Sequence, residues 1–289
     1  MNLKVIDVRA NPGDSAFLLD DGTTTVLYDT GFAFTGYAVA DNVKNVLMER
    51  QLDYIFLTHS HYDHALGAAY IRKRYPNVKV VAGEYAVKIF GKPTARAVMR
   101  DLDRKFAMQC GVASYEDLID ELKVDIPVRD GDVIHAGTMD FTVVELPGHT
   151  KCSIGYYLAS EKLLLSSETL GVYDGGEMVV PSYLVGYQMT LDSIAKAEKL
   201  DVSNILLPHF GLLDEEKTAF YLSKCRENAV STAEKILRIL KNGGAHDDAV
   251  QFFRDEYYKG GVPAIYPEDA MILNTNIMVS LLEKELLDR

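Results

Sequence analysis

A chain of 289 residues with 48% hydrophobic and 25% charged positions is long enough to bury one large core or two small ones, which excludes a disordered protein. Its formal net charge of −12 argues against a general nucleic-acid-binding surface. The opening "MNLKVIDVRANPGDSAFLL" lacks the basic start and apolar segment of a signal peptide, and no run reaches membrane-spanning length, so a cytoplasmic protein without a membrane partner is expected.

Short β-rich runs come first, "LKVIDVRA", "SAFLLDD" and "TTVLYDTG", separated by Gly and Asp turn signals, and they predict an antiparallel meander. "YAVADNVKNVLMERQL" has helical spacing with Val39, Val43, Val46 and Leu47 on one face, and leads into the strand "YIFLTH". A helix "ALGAAYIRKRY", a strand "VKVVAG" and a short helix or turn "YAVKIFG" follow. Residues 94–122 are helical in composition and read as an insertion, placed to act as a lid. From Val124 a second β half begins, "VDIPVRDGDVIHAG", "MDFTVVELPG", "SIGYYLAS" and "KLLLSSE", with "RDGD" and "ASEK" as hairpin turns. A helix "LDSIAKAEKL" and a strand "NILLPHFG" close it, and long helical periodicity then runs to the end. Two sheets packed face to face and covered by helices are the simplest reading, in one unit with a sheet-bearing part (1–212) and a helical extension (213–289). The three cysteines, Cys110, Cys152 and Cys225, are odd in number and widely spaced, so buried thiols rather than disulfides are expected.

In "DYIFLTHSHYDHALGA" three histidines and an aspartate crowd behind an apolar run: His59, His61, Asp63 and His64. His59 and His61 share a face at a strand end, and Asp63 and His64 lie in the turn beyond, so two ligand pairs can face two neighbouring metals. Two further histidines stand at strand ends, His149 in "VVELPGHT" and His209 in "ILLPHFG", as do the carboxylates Asp29 and Glu168. His135 and His246 have no such context and read as structural.

The ordered set "YDTG", "THSHYDH", "PGHT", "SSETLG" and "PHFG" resembles the signature of the metallo-β-lactamase-fold hydrolases, from Asp29 to Gly211. The resemblance implies a four-layer αββα sandwich, here with a helical insertion and a helical C-terminal extension. It implies two divalent transition metals, zinc foremost with iron or manganese as alternatives, His59, His61 and His149 holding one and Asp63, His64 and His209 the other. Asp29 would orient ligands. Relatives usually place an aspartate, bridging both ions, where this chain has Glu168; a Glu must accommodate its extra methylene by a shifted backbone or by binding one metal only. The implied chemistry is hydrolysis of a small ester, thioester, lactone or phosphodiester by a metal-bridged hydroxide, with Asp63 handling the leaving-group proton. The glyoxalase-II-like, lactonase and phosphodiesterase branches stay open, although the chain lacks the basic cluster of glutathione-thioester hydrolases.

Phe32, Phe34, Tyr62, Tyr173, Tyr183 and Tyr187 are candidate pocket residues for a small-molecule substrate, together with the segment 99–108 and the C-terminal helices. Those helices also carry enough apolar positions for a homodimer contact. Two other readings are a di-iron redox protein and a non-catalytic metal-binding regulator. Diiron flavoproteins of the superfamily generally carry Glu where this chain has His61, and a flavodoxin-like segment that this chain lacks.

Overall fold

The computed structural model describes residues 3–287. The opening meander forms as expected, β1 (Lys4–Asp7), β2 (Phe17–Asp20) and β3 (Thr25–Tyr28) pairing antiparallel. Helix α1 (Gly36–Leu47) crosses over to β4 (Tyr54–Phe56), which lies parallel to β3 with Leu27 opposite Ile55. Helices α2 (Tyr62–Ala65) and α3 (Gly67–Arg74) lead to β5 (Lys79–Gly83). Then come α4 (Glu84–Phe90), α5 (Pro93–Gln109) and β6 (Ile126–Val128), completing a six-stranded sheet in chain order.

The second sheet begins with β7 (Val133–Ala136), β8 (Met139–Glu145), β9 (Ile154–Leu158) and β10 (Leu163–Leu165). A small ribbon, β11 (Val172–Tyr173) and β12 (Val179–Val180), and helix α6 (Tyr187–Ala197) precede β13 (Asn204–Leu207) and β14 (Gly211–Leu213). The order is β14-β13-β10-β9-β8-β7, with β13 parallel to β10 and every other pair antiparallel. The extension is α7 (Glu215–Lys241), α8 (His246–Tyr257), α9 (Val262–Ile265) and α10 (Glu268–Leu282). Asp214 caps α7 by accepting from the Lys217 backbone N–H at 2.9 Å.

Alternation along the strands sorts side chains into three cores. In β3, Val26 and Tyr28 enter the core between the sheets while Leu27 joins the one under α1 and α3. In β13, Leu206 faces the intersheet core, and Ile205 and Leu207 face the helices of the extension. Burial on both faces is why these strands read as continuous apolar runs. Between the sheets Phe56 stacks on Tyr156 at 4.5 Å and meets Phe141 edge-on at 5.1 Å. The result is a four-layer αββα sandwich with an inserted α5 and a helical extension. Among the described residues no helix is long and apolar enough to cross a membrane.

Several expectations are corrected. "RDGD" is a tight turn, Arg129 N–H bonding to Asp132 at 2.8 Å, but it carries the chain from β6 in one sheet to β7 in the other and closes no hairpin. "ASEK" does join the antiparallel pair β9 and β10. The insertion is helical over α5 only, and a single 3₁₀ turn follows at Ile119–Glu121. Val46 points outward while Val39, Ala40, Val43 and Leu47 are buried, and Cys110 is exposed where Cys152 and Cys225 are buried. On α10, Met271, Met278, Val279 and Leu282 pack into the parent fold, while Ile272, Leu273 and Ile277 stay exposed.

Candidate metal centre

Strands β3, β4, β8, β10 and β13 end on one edge of the sandwich, and each ending delivers a polar residue: Asp29, His59, His149, Glu168 and His209 respectively. His61 precedes α2, which carries Asp63 and His64. Asp29 and His209 hold left-handed backbone, φ 53° and 61°, a conformation that non-glycine residues adopt at a cost and that clusters at functional sites. The Arg9 guanidinium donates to the His209 carbonyl and steadies that turn. Gly67 permits the close docking of α3 on the end of β3, since a Cβ there would sit 2.0 Å from the Thr30 carbonyl oxygen.

The expected ligands fall into two converging groups, with Glu168 reaching both. His59, His61, His149 and Glu168 form one, and Asp63, His64 and His209 the other; within each, candidate ligand atoms lie within 4.8 Å of one another. Glu168 Oε2 lies 2.8 Å from His149 Nε2 and 3.5 Å from both His59 Nε2 and His64 Nε2, while Oε1 lies 3.3 Å from His209 Nε2. The extra methylene therefore does not confine Glu168 to one group.

Four of the five imidazoles, those of His59, His64, His149 and His209, are oriented by the other nitrogen, as metal ligands usually are. His64 Nδ1–H donates to Asp29 Oδ2 at 2.8 Å, and Asp29, fully buried, also accepts from Ser15, from the Thr58 backbone N–H and from the Thr58 hydroxyl. That hydroxyl lies 3.0 Å from His59 Nδ1. Ser182 Oγ lies 2.7 Å from His149 Nδ1, and the Gly13 carbonyl accepts from His209 Nδ1 at 2.9 Å. Thr58, Ser182 and Gly13 were not anticipated. Thr58 adjoins the motif, but Ser182 and Gly13 come from distant loops with no local signal.

The donor set fits divalent metal ions. His59 Nε2 and His64 Nε2 are buried without a hydrogen-bond partner, an arrangement that is costly for a polar atom unless a cation completes it. His149 Nε2 lies 3.0 Å from His61 Nδ1 and 2.8 Å from Glu168 Oε2, so three candidate ligand atoms converge on one point. Tetrahedral coordination at about 2.1 Å separates ligand atoms by roughly 3.4 Å, close to the separations here. Burial, reinforced by neighbouring histidines, holds His59 and His61 well below the ordinary imidazole range and hence neutral, the form that binds metal. Burial acts on His64 in the same direction, but Asp63 and Asp29 outweigh it and hold its pKa well up. Burial would raise Glu168, but the imidazoles gathered around it, His149 foremost, prevail and hold it well below the usual carboxylate range.

A cavity of about 170 Å³ opens over this floor. Phe32 and Tyr62 line it, as expected, with Leu102, Lys105 and Phe106 of the insertion and Leu273 of the extension. Phe34 stands behind Phe32, their rings 5.1 Å apart. Tyr173, Tyr183 and Tyr187 do not line the cavity. All three are buried in the core under the extension: Tyr173, on β11, packs against Phe210 and Tyr221, and Tyr183, in the loop after β12, packs against Tyr187 at the start of α6. Tyr266, outside the anticipated set, lines the cavity instead. His135 pairs with Asp140, and His246 with Asn276, both away from the centre.

A sequence profile described as the Metallo-beta-lactamase superfamily matches residues 13–209. A hydroxyacylglutathione hydrolase from Francisella tularensis subsp. holarctica is 28% identical over 151 residues, which is 52% of this chain and 46% of that protein. Glyoxylase B2 of Dictyostelium discoideum is 30% identical over 139 residues, 47% of this chain and 42% of that protein. The matches thus span less than half the length of these curated relatives. Among solved structures, a metallo-beta-lactamase family protein from Thermus thermophilus superposes with a TM-score of 0.64 at 17% identity, covering 98% of this chain and 93% of that one. A beta-lactamase domain protein from Burkholderia ambifaria gives 0.65 at 15% identity, over 99% and 85% of the two chains. At these identities the structural likeness speaks for the fold.

Proposed function

The chain belongs to the metallo-beta-lactamase superfamily, and on that premise we propose that it is a metal-dependent hydrolase of small molecules, cleaving an ester, thioester, lactone or phosphodiester bond. The observation that carries this reading is the reach of Glu168 toward both ligand groups, with His59, His64, His149 and His209 each held by the far nitrogen. Divalent ions bound there would supply Lewis-acid polarisation of the substrate and a nucleophilic water of lowered pKa at neutral pH.

The chain's own residues do the rest. His59 and His61 present neutral nitrogens, and with His149 they stand on a rigid sheet edge, so little reorganisation accompanies binding. Asp29 and Thr58 fix the tautomers of His64 and His59. Asp63, 21% exposed and lining the cavity, has Oδ2 3.6 Å from His64 Nε2 and 3.7 Å from His209 Nε2. That position leaves a carboxylate edge toward the substrate, suited to hand a proton to the leaving group. The names of the curated relatives support the thioester arm in particular.

The test is metal analysis of the purified chain followed by turnover of p-nitrophenyl butyrate, S-lactoylglutathione, γ-butyrolactone and bis(p-nitrophenyl) phosphate by apo and zinc-reconstituted protein. Metal-dependent cleavage of one or more is expected. Cleavage of none by the metal-loaded protein overturns the reading.

A further inference from the structure

We propose that Tyr266 and Asn274, both from the helical extension, are the hydrogen-bond donors that hold an uncharged oxygen of the substrate above the metal floor. The substrate class is then a neutral acyl compound rather than a phosphodiester. This rests on the hydrolase reading above and narrows it.

The polar groups on the cavity wall away from the ligand floor decide the matter. Lys105 is paired: its Nζ lies 2.5 Å from Asp269 Oδ2, and Gln109 Nε2 lies 3.4 Å from the same oxygen. This clasp joins α5 to the start of α10 and leaves that part of the wall without net charge. The cation is exposed and already matched, so the wall offers no built anion site for a phosphate.

Apart from the Tyr62 phenol, which α2 carries beside the ligand Asp63, Tyr266 and Asn274 are what remains. Asn274 Nδ2–H donates to Tyr266 Oη at 2.5 Å, and both residues line the cavity. Together they own three polar hydrogens, two on the amide and one on the phenol, and their mutual bond consumes one. With the amide as placed, the phenol O–H and the second amide N–H are left. Turned by 180°, the amide would accept from the phenol and keep both of its own hydrogens. In either orientation the pair can donate to a ligand, flanked by the apolar Ile265 and Leu273. Burial, with Glu168 and Asp63 nearby, pushes the Tyr266 phenol up against the pull of Asn274, so it is a protonated donor at neutral pH. A neutral donor couple in an apolar wall matches a carbonyl or amide oxygen.

The experiment uses the full chain reconstituted with zinc, with p-nitrophenyl butyrate as the neutral probe and bis(p-nitrophenyl) phosphate as the anionic one. Wild-type kcat/KM is expected to favour the ester by at least about tenfold. Tyr266→Phe is expected to lower kcat/KM for the ester about tenfold or more, as for loss of a donor in a dry site, with zinc content and Tm unchanged. Adding Asn274→Leu should cost no more than about a further twofold, because the two residues act as a unit. A Tyr266→Phe protein with full zinc content and ester turnover within twofold of wild type overturns the inference and leaves the hydrolase reading standing, as does a wild-type preference for the phosphodiester. Should Tyr266→Phe melt early or lose zinc, Asn274→Leu alone decides by the same twofold criterion. Wild-type protein that cleaves neither these probes nor the thioester and lactone overturns both readings together.

Discussion

Glu168 carries one methylene more than the aspartate usual at its position, and its carboxylate spans the gap between the two ligand groups because of that length. Glu168→Asp should retract the carboxylate by about 1.5 Å and weaken metal binding at one of the two ligand groups at least tenfold, measured as metal per chain after dialysis against a graded chelator series. Equal retention of both metals would mean the backbone, not the side chain, supplies the reach. Asp29 touches no substrate, yet it accepts from Ser15, Thr58 and His64 at once. Asp29→Ala should lower metal affinity about 10–100-fold, read by competition with a chromophoric chelator. The ligands were legible in the sequence because four of them crowd into one turn and the others each end an apolar run. Of their supporting partners only Asp29 was, through the "YDTG" of the ordered set. Ser182 and Gly13 reach the histidines through the folded chain alone, and no spacing links residue 182 to residue 149. The tyrosines after Glu168 were misread for a related reason: residue type names a hydrogen-bond donor, but the packing of β11, the loop after β12 and the start of α6 against the extension decides which side each one faces.

Helix α3 reaches the end of β3 at Gly67, where the Thr30 and Gly31 backbones bond with the His64 carbonyl and the Gly67 N–H. Gly67→Ala must push α3 and the adjoining α2 away from β3. The expected cost is about 1–3 kcal/mol of stability together with a loss of metal affinity, both visible in melting curves with and without zinc. A loss of stability with unchanged zinc affinity would show that α2 is held independently of that docking. Helix α5 is tied inward by Asp103, which accepts from the Ala33 backbone N–H and from the Tyr115 hydroxyl. Burial raises this carboxyl to about 6, against those hydrogen bonds. The folded state thus keeps a proton that the unfolded state has lost between its ordinary pKa near 4 and about pH 6, so stability falls by up to roughly 3 kcal/mol as pH rises through that window. Asp103→Asn, whose amide can serve both partners, should flatten denaturant-derived stability between pH 4 and 6; an unchanged pH slope would contradict this. Most strands and helices were legible from periodicity. The crossing between sheets was not, because "RDGD" has the local chemistry of a hairpin turn and only pairing partners reveal the difference.

The extension does two things for the whole molecule. Tyr221, Cys225, Ala229 and Ala233, one turn apart along α7, cover the outer face of the second sheet, and the start of α10 completes the cavity wall over the centre. The architecture was legible as two β halves with helices outside them, but the convergence of five strand ends on one edge is a property of topology and register. That edge is the proposed site for two metal ions. An equilibrium zinc titration of the metal-free full chain tests it most directly. Two equivalents per chain are predicted, falling to one in a His64→Ala, His209→Ala double variant that keeps its fold. Binding of a single equivalent by the wild type, or two equivalents undiminished in the double variant, would contradict it.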